Sequence, residues 1–400
     1  MRSNYLPAVV AVSIALAFAS CSKKEESANN QPSNQKPTEE MMRENGQNPD
    51  EATLNDASER RQHGGYLYTE GNEAGTNQIH IYKQHADGHL THEGMVASGG
   101  AGNAMGLGSQ GALALSDNNH WLFAVNAGDN SVSSFEVHHD GSLTLANTTG
   151  SGGTTPVSLC AYNHYLYVVN SGSSNICGYT IDAGGMLTAI MGANLPLSAP
   201  MAGPAQIAFS PNGEYLYVTE KMTNMITSYE VDHNGLATFD TSFPSTGNTP
   251  FGFSIAREHY MVVSNANGGT PNASSCTSYS GVNPGNLNAV NGAVANNQTA
   301  ACWVATTHAG RYAFVTNTGS DDISTYYVSP WGALYLVHAN TVSTDSHPID
   351  ITVAANNYYV YNINAMTHSI TGFKRTFFGG LNPNGSISGI PDFAAGLVAW

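Results

Sequence analysis

One aromatic and aliphatic segment occurs seven times along the chain, and this repeat limits the possible folds more than any other feature. Each copy alternates aromatic and aliphatic residues, as in Tyr165–Asn170 (YLYVVN), which is typical of a buried β-strand. Consecutive copies begin 44 to 55 residues apart, close to the spacing of about 40–50 residues in four-stranded propeller blades. The copies begin at Tyr66, Trp121, Tyr165, Tyr215, Tyr260, Tyr312 and Tyr358.

The same companions surround each repeated strand. A later strand is marked in the seven repeats by Tyr82, Phe135, Tyr179, Tyr229, Tyr279, Tyr326 and Phe373. A glycine turn such as Asp140-Gly141 follows, and this dipeptide suits a tight hairpin. An apolar strand precedes six copies, and residues 391–400 supply the strand that the first copy lacks. We therefore predict an all-β, seven-bladed β-propeller with four-stranded blades, closed by its C-terminal strand.

The first 63 residues predict export and anchoring rather than a fold. Arg2, the apolar run Leu6–Phe18 and small residues before Cys21 resemble a bacterial lipoprotein signal peptide, in which the cysteine is lipidated. Residues 22–63 are polar and lack periodicity, which predicts a disordered tether. The predicted parts are thus a signal peptide (1–21), a tether (22–63) and a propeller (64–400). We expect a lipid anchor in the bacterial cell envelope, at the outer membrane and on its periplasmic or surface face.

Few charges are present in the propeller, and most are acidic. Residues 64–400 contain six basic and 20 acidic side chains, a net charge near −14. This balance disfavours nucleic acid and highly phosphorylated ligands, which require clustered Lys and Arg. Most histidines lie beside repeated strands or turns, so we expect no metal and no cofactor. We also expect a monomer, with the membrane as one partner.

The segment from Gly203 to Glu220 (GPAQIAFSPNGEYLYVTE) is the most informative for family. It resembles the lactonase-type propellers, which include a bacterial 6-phosphogluconolactonase and a fungal carboxymuconate-lactonizing enzyme. The resemblance runs through all seven repeats. It implies an Arg-His pair facing the central pocket, where this chain has Ala205 and Gln206. A further family histidine falls where Val157 and Ser158 stand, and only the acid, Glu220, is retained.

Candidate site residues follow from aligning the blades at the channel mouth where the inner strands begin. Asp350 and Asp392 are the charged members of this ring, and Gln206 and Trp303 are its large polar and aromatic members. We take Gln206, Trp303 and Asp392 as ligand-binding candidates. Hydrolysis of a lactone needs a base to activate water. Glu220, Asp350 and His347 are the catalytic candidates for that role, although Glu220 also fits an inter-blade structural position.

Four cysteines follow Cys21. Cys276 and Cys302 flank an irregular insertion, and we predict a disulfide between them, which the exported setting permits. Cys160 and Cys177 occupy the first and third strands of one repeat. Two strand spacings amount to about 9.6 Å, too far for a disulfide.

Two functions remain open on this sequence. The first is a binding or scaffold module for a protein, glycan or small ligand, because the Arg and His of the resembled enzymes are missing. The second is a lactone hydrolase or cyclase acting on an unphosphorylated substrate. Insertions at residues 99–110 and 267–299 lie in loops, where binding residues are often found.

Overall fold

The computed structural model describes residues 36–43 and 64–400. Its seven antiparallel sheets are the predicted blades, numbered here by the order of their repeated strands. Outward from the axis, blades 1 to 3 are β29 (Ala395–Ala399), β1 (Gly65–Glu70), β2 (Gln78–Gln84) and β3 (Leu90–Ala97); β4 (Leu113–Leu115), β5 (Trp121–Asn126), β6 (Ser131–Val137) and β7 (Leu143–Gly150); β8 (Pro156–Tyr162), β9 (Tyr165–Asn170), β10 (Asn175–Ile181) and β11 (Leu187–Ala189).

A short strand, β12 (Leu195–Pro196), also pairs with β10 in blade 3. Blades 4 to 7 are β13 (Pro204–Phe209), β14 (Tyr215–Glu220), β15 (Met225–Val231) and β16 (Ala237–Pro244); β17 (Pro250–Ala256), β18 (Tyr260–Asn265), β19 (Ser275–Ser280) and β20 (Asn288–Ala295); β21 (Ala301–Thr306), β22 (Tyr312–Asn317), β23 (Asp322–Val328) and β24 (Leu334–Ser343); β25 (Pro348–Val353), β26 (Tyr359–Asn364), β27 (Ser369–Arg375) and β28 (Leu381–Ser388).

Ring closure follows the prediction. The C-terminal strand β29 pairs antiparallel with β1, with Tyr68 opposite Val398. The Tyr66 N–H donates to the Trp400 carbonyl at 3.0 Å, and the Trp400 N–H donates back to the Tyr66 carbonyl at 3.1 Å. The first and last repeats therefore share one sheet, which completes blade 1 and closes the ring.

Apolar side chains fill the seams between adjacent blades. Tyr82 of blade 1 packs with Tyr361 and Ile370 of blade 7. The hairpin glycines permit close approach at the outer rim: a side chain at Gly141, where φ is +77°, would lie 2.2 Å from the Tyr66 ring of the preceding blade. The Tyr68 hydroxyl then donates to the Gly141 carbonyl at 2.9 Å. The recurring glycines and tyrosines are thus inter-blade contacts.

Among residues 36–43 and 64–400, two helical turns accompany the strands. One is a 3-10 helix, Asn267–Gly269, and the other is α1, Glu39–Met42, which lies within the tether predicted to be disordered. Within the ranges given above, no helix is long and apolar enough to cross a membrane. The predicted signal peptide, with Cys21, and the rest of the predicted tether lie outside the described residues.

Candidate functional site

The seven inner strands surround a central cavity of about 380 Å³. Its lining runs from Gln110, before β4, along the middle and end of the inner strands to His308, in the turn after β21. Within the described part of the chain, the lining contains no lysine or arginine, and its polar members are Gln110, Gln206, Ser254, Thr306, His308, Asp350 and Thr352. The cavity can therefore offer amide, hydroxyl, imidazole and carboxyl groups to a ligand.

A strap formed by Gly108, Ser109 and Gln110 crosses the mouth where the inner strands begin. The Gln110 side chain pairs with the Val304 backbone of blade 6, donating from Nε2 to the carbonyl at 2.8 Å and accepting the N–H at 2.9 Å. The Gln110 N–H donates to the Ala205 carbonyl of blade 4 at 2.9 Å. Three atoms of Gln110, one in its backbone and two in its side chain, thus span the ring and close this mouth.

Aromatic and cationic side chains hold the strap from outside. The Trp303 indole N–H donates to the Ser109 carbonyl at 2.8 Å. Lys221 donates from Nζ to the Gly108 carbonyl and lies 4.9 Å above the Phe251 ring. Removal from water lowers the pKa of this lysine to about 8, because burial disfavours the charged form. The mouth predicted to bind ligand is therefore covered, and the cavity opens at the opposite face, beside His308.

Of the ionisable side chains that the sequence predicted for the site, Asp350 is the one that lines the cavity. It is 4% exposed, and its Oδ2 accepts the Gly396 N–H at 2.7 Å. Among the described residues, Oδ1 has no hydrogen-bond donor. Burial raises the pKa of this carboxyl to about 7, and the Gly396 hydrogen bond opposes that shift. Asp350 is thus available to a ligand in either protonation state near neutral pH.

A second buried carboxyl lies near Asp350. Glu70 has no exposed surface, and Asn77 donates to its Oε2 at 3.3 Å. Desolvation raises the pKa of Glu70 well above its ordinary value, and the Asp350 charge adds to that rise. The two carboxyls are therefore electrostatically linked.

His347 and Asp392 do not join Asp350 in the cavity. The His347 N–H donates to the Asp321 Oδ1 at 2.7 Å, and its side chain is 52% exposed. The Asp392 carboxylate is 76% exposed and lies 3.5 Å from His368. The alignment of the inner strand of blade 1 was displaced because β29 begins only at Ala395. In this blade Gly396 and Leu397, rather than Asp392, occupy the ring position.

Gln206 and Trp303 have different surroundings. Gln206 lines the cavity and accepts the Phe253 N–H on Oε1 at 2.6 Å, which joins blades 4 and 5. Its Nε2 has no acceptor among the residues described and remains a donor for a ligand. Trp303 is buried against Phe251, with ring centroids 4.8 Å apart. It supports the strap and does not line the cavity.

Glu220 is fully buried away from the cavity lining. Its Oε1 accepts the Ser198 N–H at 3.1 Å and the Thr227 hydroxyl at 2.6 Å. Its Oε2 accepts the hydroxyls of Ser198 and Thr223. These bonds tie the segment entering blade 4 to its second and third strands, as the inter-blade interpretation requires.

The predicted disulfide is absent. Cys276 and Cys302 are free, as are Cys160 and Cys177. Cys276 packs with Tyr326 and Val304, whereas Cys302 packs with Phe251 and Trp303. The two thiols lie in different core clusters, which explains why the insertion between them is not bridged. Among the described residues, no cluster of three or more potential ligands could hold a metal ion.

Sequence reasoning missed His308, Ser254, Thr306 and Thr352 of the lining. His308 follows β21 in a turn. There the Thr307 N–H donates to the Tyr312 carbonyl, and the Gly310 N–H donates to the Thr307 carbonyl. No local pattern distinguishes this turn from those of other blades. Once the strap is known to cover one mouth, the turns at the other mouth become the candidates.

Comparisons with known proteins agree with this architecture. A periplasmic gluconolactonase from Pseudomonas aeruginosa superimposes with a TM-score of 0.64 at 16% identity, covering 84% of this chain and 98% of that chain. A candidate 6-phosphogluconolactonase from Bacteroides fragilis gives 0.68 at 18% identity, covering 84% and 98%. A Lactobacillus plantarum protein gives 0.69 at 17% identity, covering 84% and 99%. At these identities the likeness shows the fold alone.

Sequence comparison shows the family. No curated protein matches the chain. The family described as "Lactonase, 7-bladed beta-propeller" matches residues 59–202 and 193–281, which together exceed half of the chain. The chain therefore belongs to the lactonase family of seven-bladed β-propellers.

Proposed function

We propose that this protein binds a small, uncharged, polar ligand in the central cavity, at the open mouth beside His308. The observation that carries the proposal is the combination of a covered mouth and a lining of amide, hydroxyl and carboxyl groups. A cavity of about 380 Å³ lies within the range of small-molecule sites. A sugar lactone or related polyol has suitable size and hydrogen-bonding groups.

The charge of the lining supports an uncharged ligand. The described lining has no cation to balance a phosphate, and Asp350 and the acidic propeller would repel one. Ala205 and Gln206 stand where the resembled enzymes have Arg and His. Both features favour binding over the chemistry of phosphorylated lactones.

Lactone hydrolysis is the second candidate, and the position of Asp350 favours it. A carboxylate with a pKa near 7 is well matched to general-base work at neutral pH. Asp350 Oδ1 would take a proton from water as the water oxygen bonds to the lactone carbonyl carbon. The ring C–O bond then breaks, protonated Asp350 returns its proton to the leaving ring oxygen, and the product is a hydroxy acid. Gln206 Nε2 is the available donor for the oxyanion.

A paired assay distinguishes these functions. Calorimetry with glucono-1,5-lactone and with an uncharged polyol measures binding, and a pH-stat measures hydrolysis above the spontaneous rate. Binding without turnover supports the binding module. Turnover that falls about 10²–10⁴-fold in Asp350→Asn, but not in the exposed control Asp392→Asn, overturns the binding-only function. If neither binding nor turnover is observed, the assignment of the cavity as a ligand site is overturned.

We further propose that Cys21 is lipidated and holds the protein at the bacterial cell envelope. The apolar run and the small residues before Cys21 support this proposal. Expressed in a bacterium, the full chain should fractionate with membranes and Cys21→Ser should not. Equal membrane association of the two proteins would refute the anchor.

A further inference from the structure

A short arm, residues 38–43, packs on the propeller although 20 residues separate it from Gly64. Its helix α1 is capped by Thr38, whose hydroxyl oxygen accepts the Met41 N–H at 3.2 Å. Two adjacent methionines have opposite environments: Met42 is 3% exposed and Met41 is 40% exposed. One face of the arm is therefore buried.

The pocket for the arm lies on blades 6 and 7. The Tyr312 hydroxyl donates to the Met42 sulfur at 3.7 Å, and Arg311 donates to the Met42 carbonyl. The Tyr327 hydroxyl donates to the Met41 carbonyl at 3.0 Å. These contacts combine burial of an apolar side chain with hydrogen bonds to the last carbonyls of the helix, which would otherwise have no partners.

A further contact lies at the end of the arm. The Arg43 guanidinium lies 5.3 Å above the Phe378 ring of blade 7. This geometry is that of a cation–π interaction. The arm is thus held along its length, and it belongs to the same compact unit, Asn34–Trp400, as the blades.

The arm lies on the face where the cavity opens. Arg311 ends the turn between β21 and β22, and His308 of that same turn lines the cavity. Phe378 belongs to the turn between β27 and β28, which reaches the same face because strand directions alternate in each sheet. The strap closes the opposite face.

We propose that the arm fixes the exit of the N-terminal segment on the open face, so that the cavity mouth faces the membrane that holds Cys21. This inference rests on the proposed anchor. Sixteen residues lie between Cys21 and Thr38, and they span at most about 55 Å. If the arm were not docked, the 42 residues between Cys21 and Gly64 would span at most about 150 Å. A link of that length would leave the orientation of the propeller relative to the membrane free.

The first experiment tests docking in the full chain. Trypsin cleavage after Arg43 is compared with cleavage after Arg61, which lies outside the arm, in the native protein, in Met42→Asp and in the matched control Met41→Asp. Loss of the buried methionine should increase cleavage after Arg43 by about tenfold to a hundredfold, and the control should match the native protein. Equal cleavage of all three proteins would overturn the docked arm. Protection that rises with protein concentration would assign the arm to a second copy and overturn docking within one chain.

The second experiment tests orientation on vesicles that carry the lipidated protein. A fluorophore is placed on the open face with Asn118→Cys, or on the strap face with Met222→Cys, and a lipid-bound quencher is added. Asn118 lies in the turn between β4 and β5, and Met222 in the turn between β14 and β15. We expect stronger quenching at position 118, and loss of the difference when Met42→Asp is added. Equal quenching at both positions would overturn the orientation, whereas failure to bind vesicles would instead refute the anchor.

Discussion

Asp350→Asn is expected to stabilise the propeller above pH 7 and to leave its stability near pH 4 almost unchanged. Burial raises the pKa of Asp350 in the folded protein from 3.8 to about 7. Between these values the folded state binds more protons than the unfolded state, so Asp350 lowers stability progressively as pH rises. Three pKa units correspond to about 4 kcal/mol above pH 7. Asparagine removes this penalty and still accepts the Gly396 N–H.

Urea unfolding at pH 4 and pH 8 measures the effect. Asp392→Asn is the control because it removes a carboxylate that is 76% exposed. Removing the Asp350 charge also removes one cause of the raised pKa of Glu70, whose largest cause is desolvation. A variant that is destabilised more at pH 8 than at pH 4 would show that ionised Asp350 stabilises the fold.

The free-energy cost of ionising the buried Asp350 carboxyl also bears on function. A buried carboxylate with one hydrogen-bond donor is costly to keep, and an amide of the same shape would be better tolerated. Costly ionisable groups in cavities are characteristic of functional sites. Asp350 is therefore the residue whose replacement should improve stability while weakening ligand binding or hydrolysis, a trade-off found at many sites.

The repeat predicted the strands well because both faces of each blade are buried. Alternating aromatic and aliphatic residues at Tyr165–Asn170 fill two seams at once, so the pattern is dense and recognisable. The position of Asp392 was wrong because the last inner strand lacks the opening proline seen at Pro348 and Pro204. Without that marker, the alignment moved by several residues.

The strap could not be predicted from local sequence. Gln110 pairs with Val304, 194 residues away, and a glutamine in a glycine-rich loop carries no signal of such a partner. Gly252 permits the approach, since a side chain there would lie 2.1 Å from Gln110 Oε1. The loop at residues 99–110 was singled out as an insertion, but its closing of the mouth depends on long-range geometry.

Glu220→Ala is expected to destabilise the propeller by about 3 kcal/mol or more, because the four hydrogen bonds donated to this buried carboxylate would be lost. The bonds that Ser198, Thr223 and Thr227 donate to this carboxylate link the entry of blade 4 to its inner strands. Glu230→Ala is the matched control, since Glu230 lies exposed on the neighbouring strand. Urea unfolding should separate the two variants, and ligand binding by folded Glu220→Ala should persist. Equal stability of both variants, or selective loss of binding in Glu220→Ala, would instead indicate a functional carboxylate.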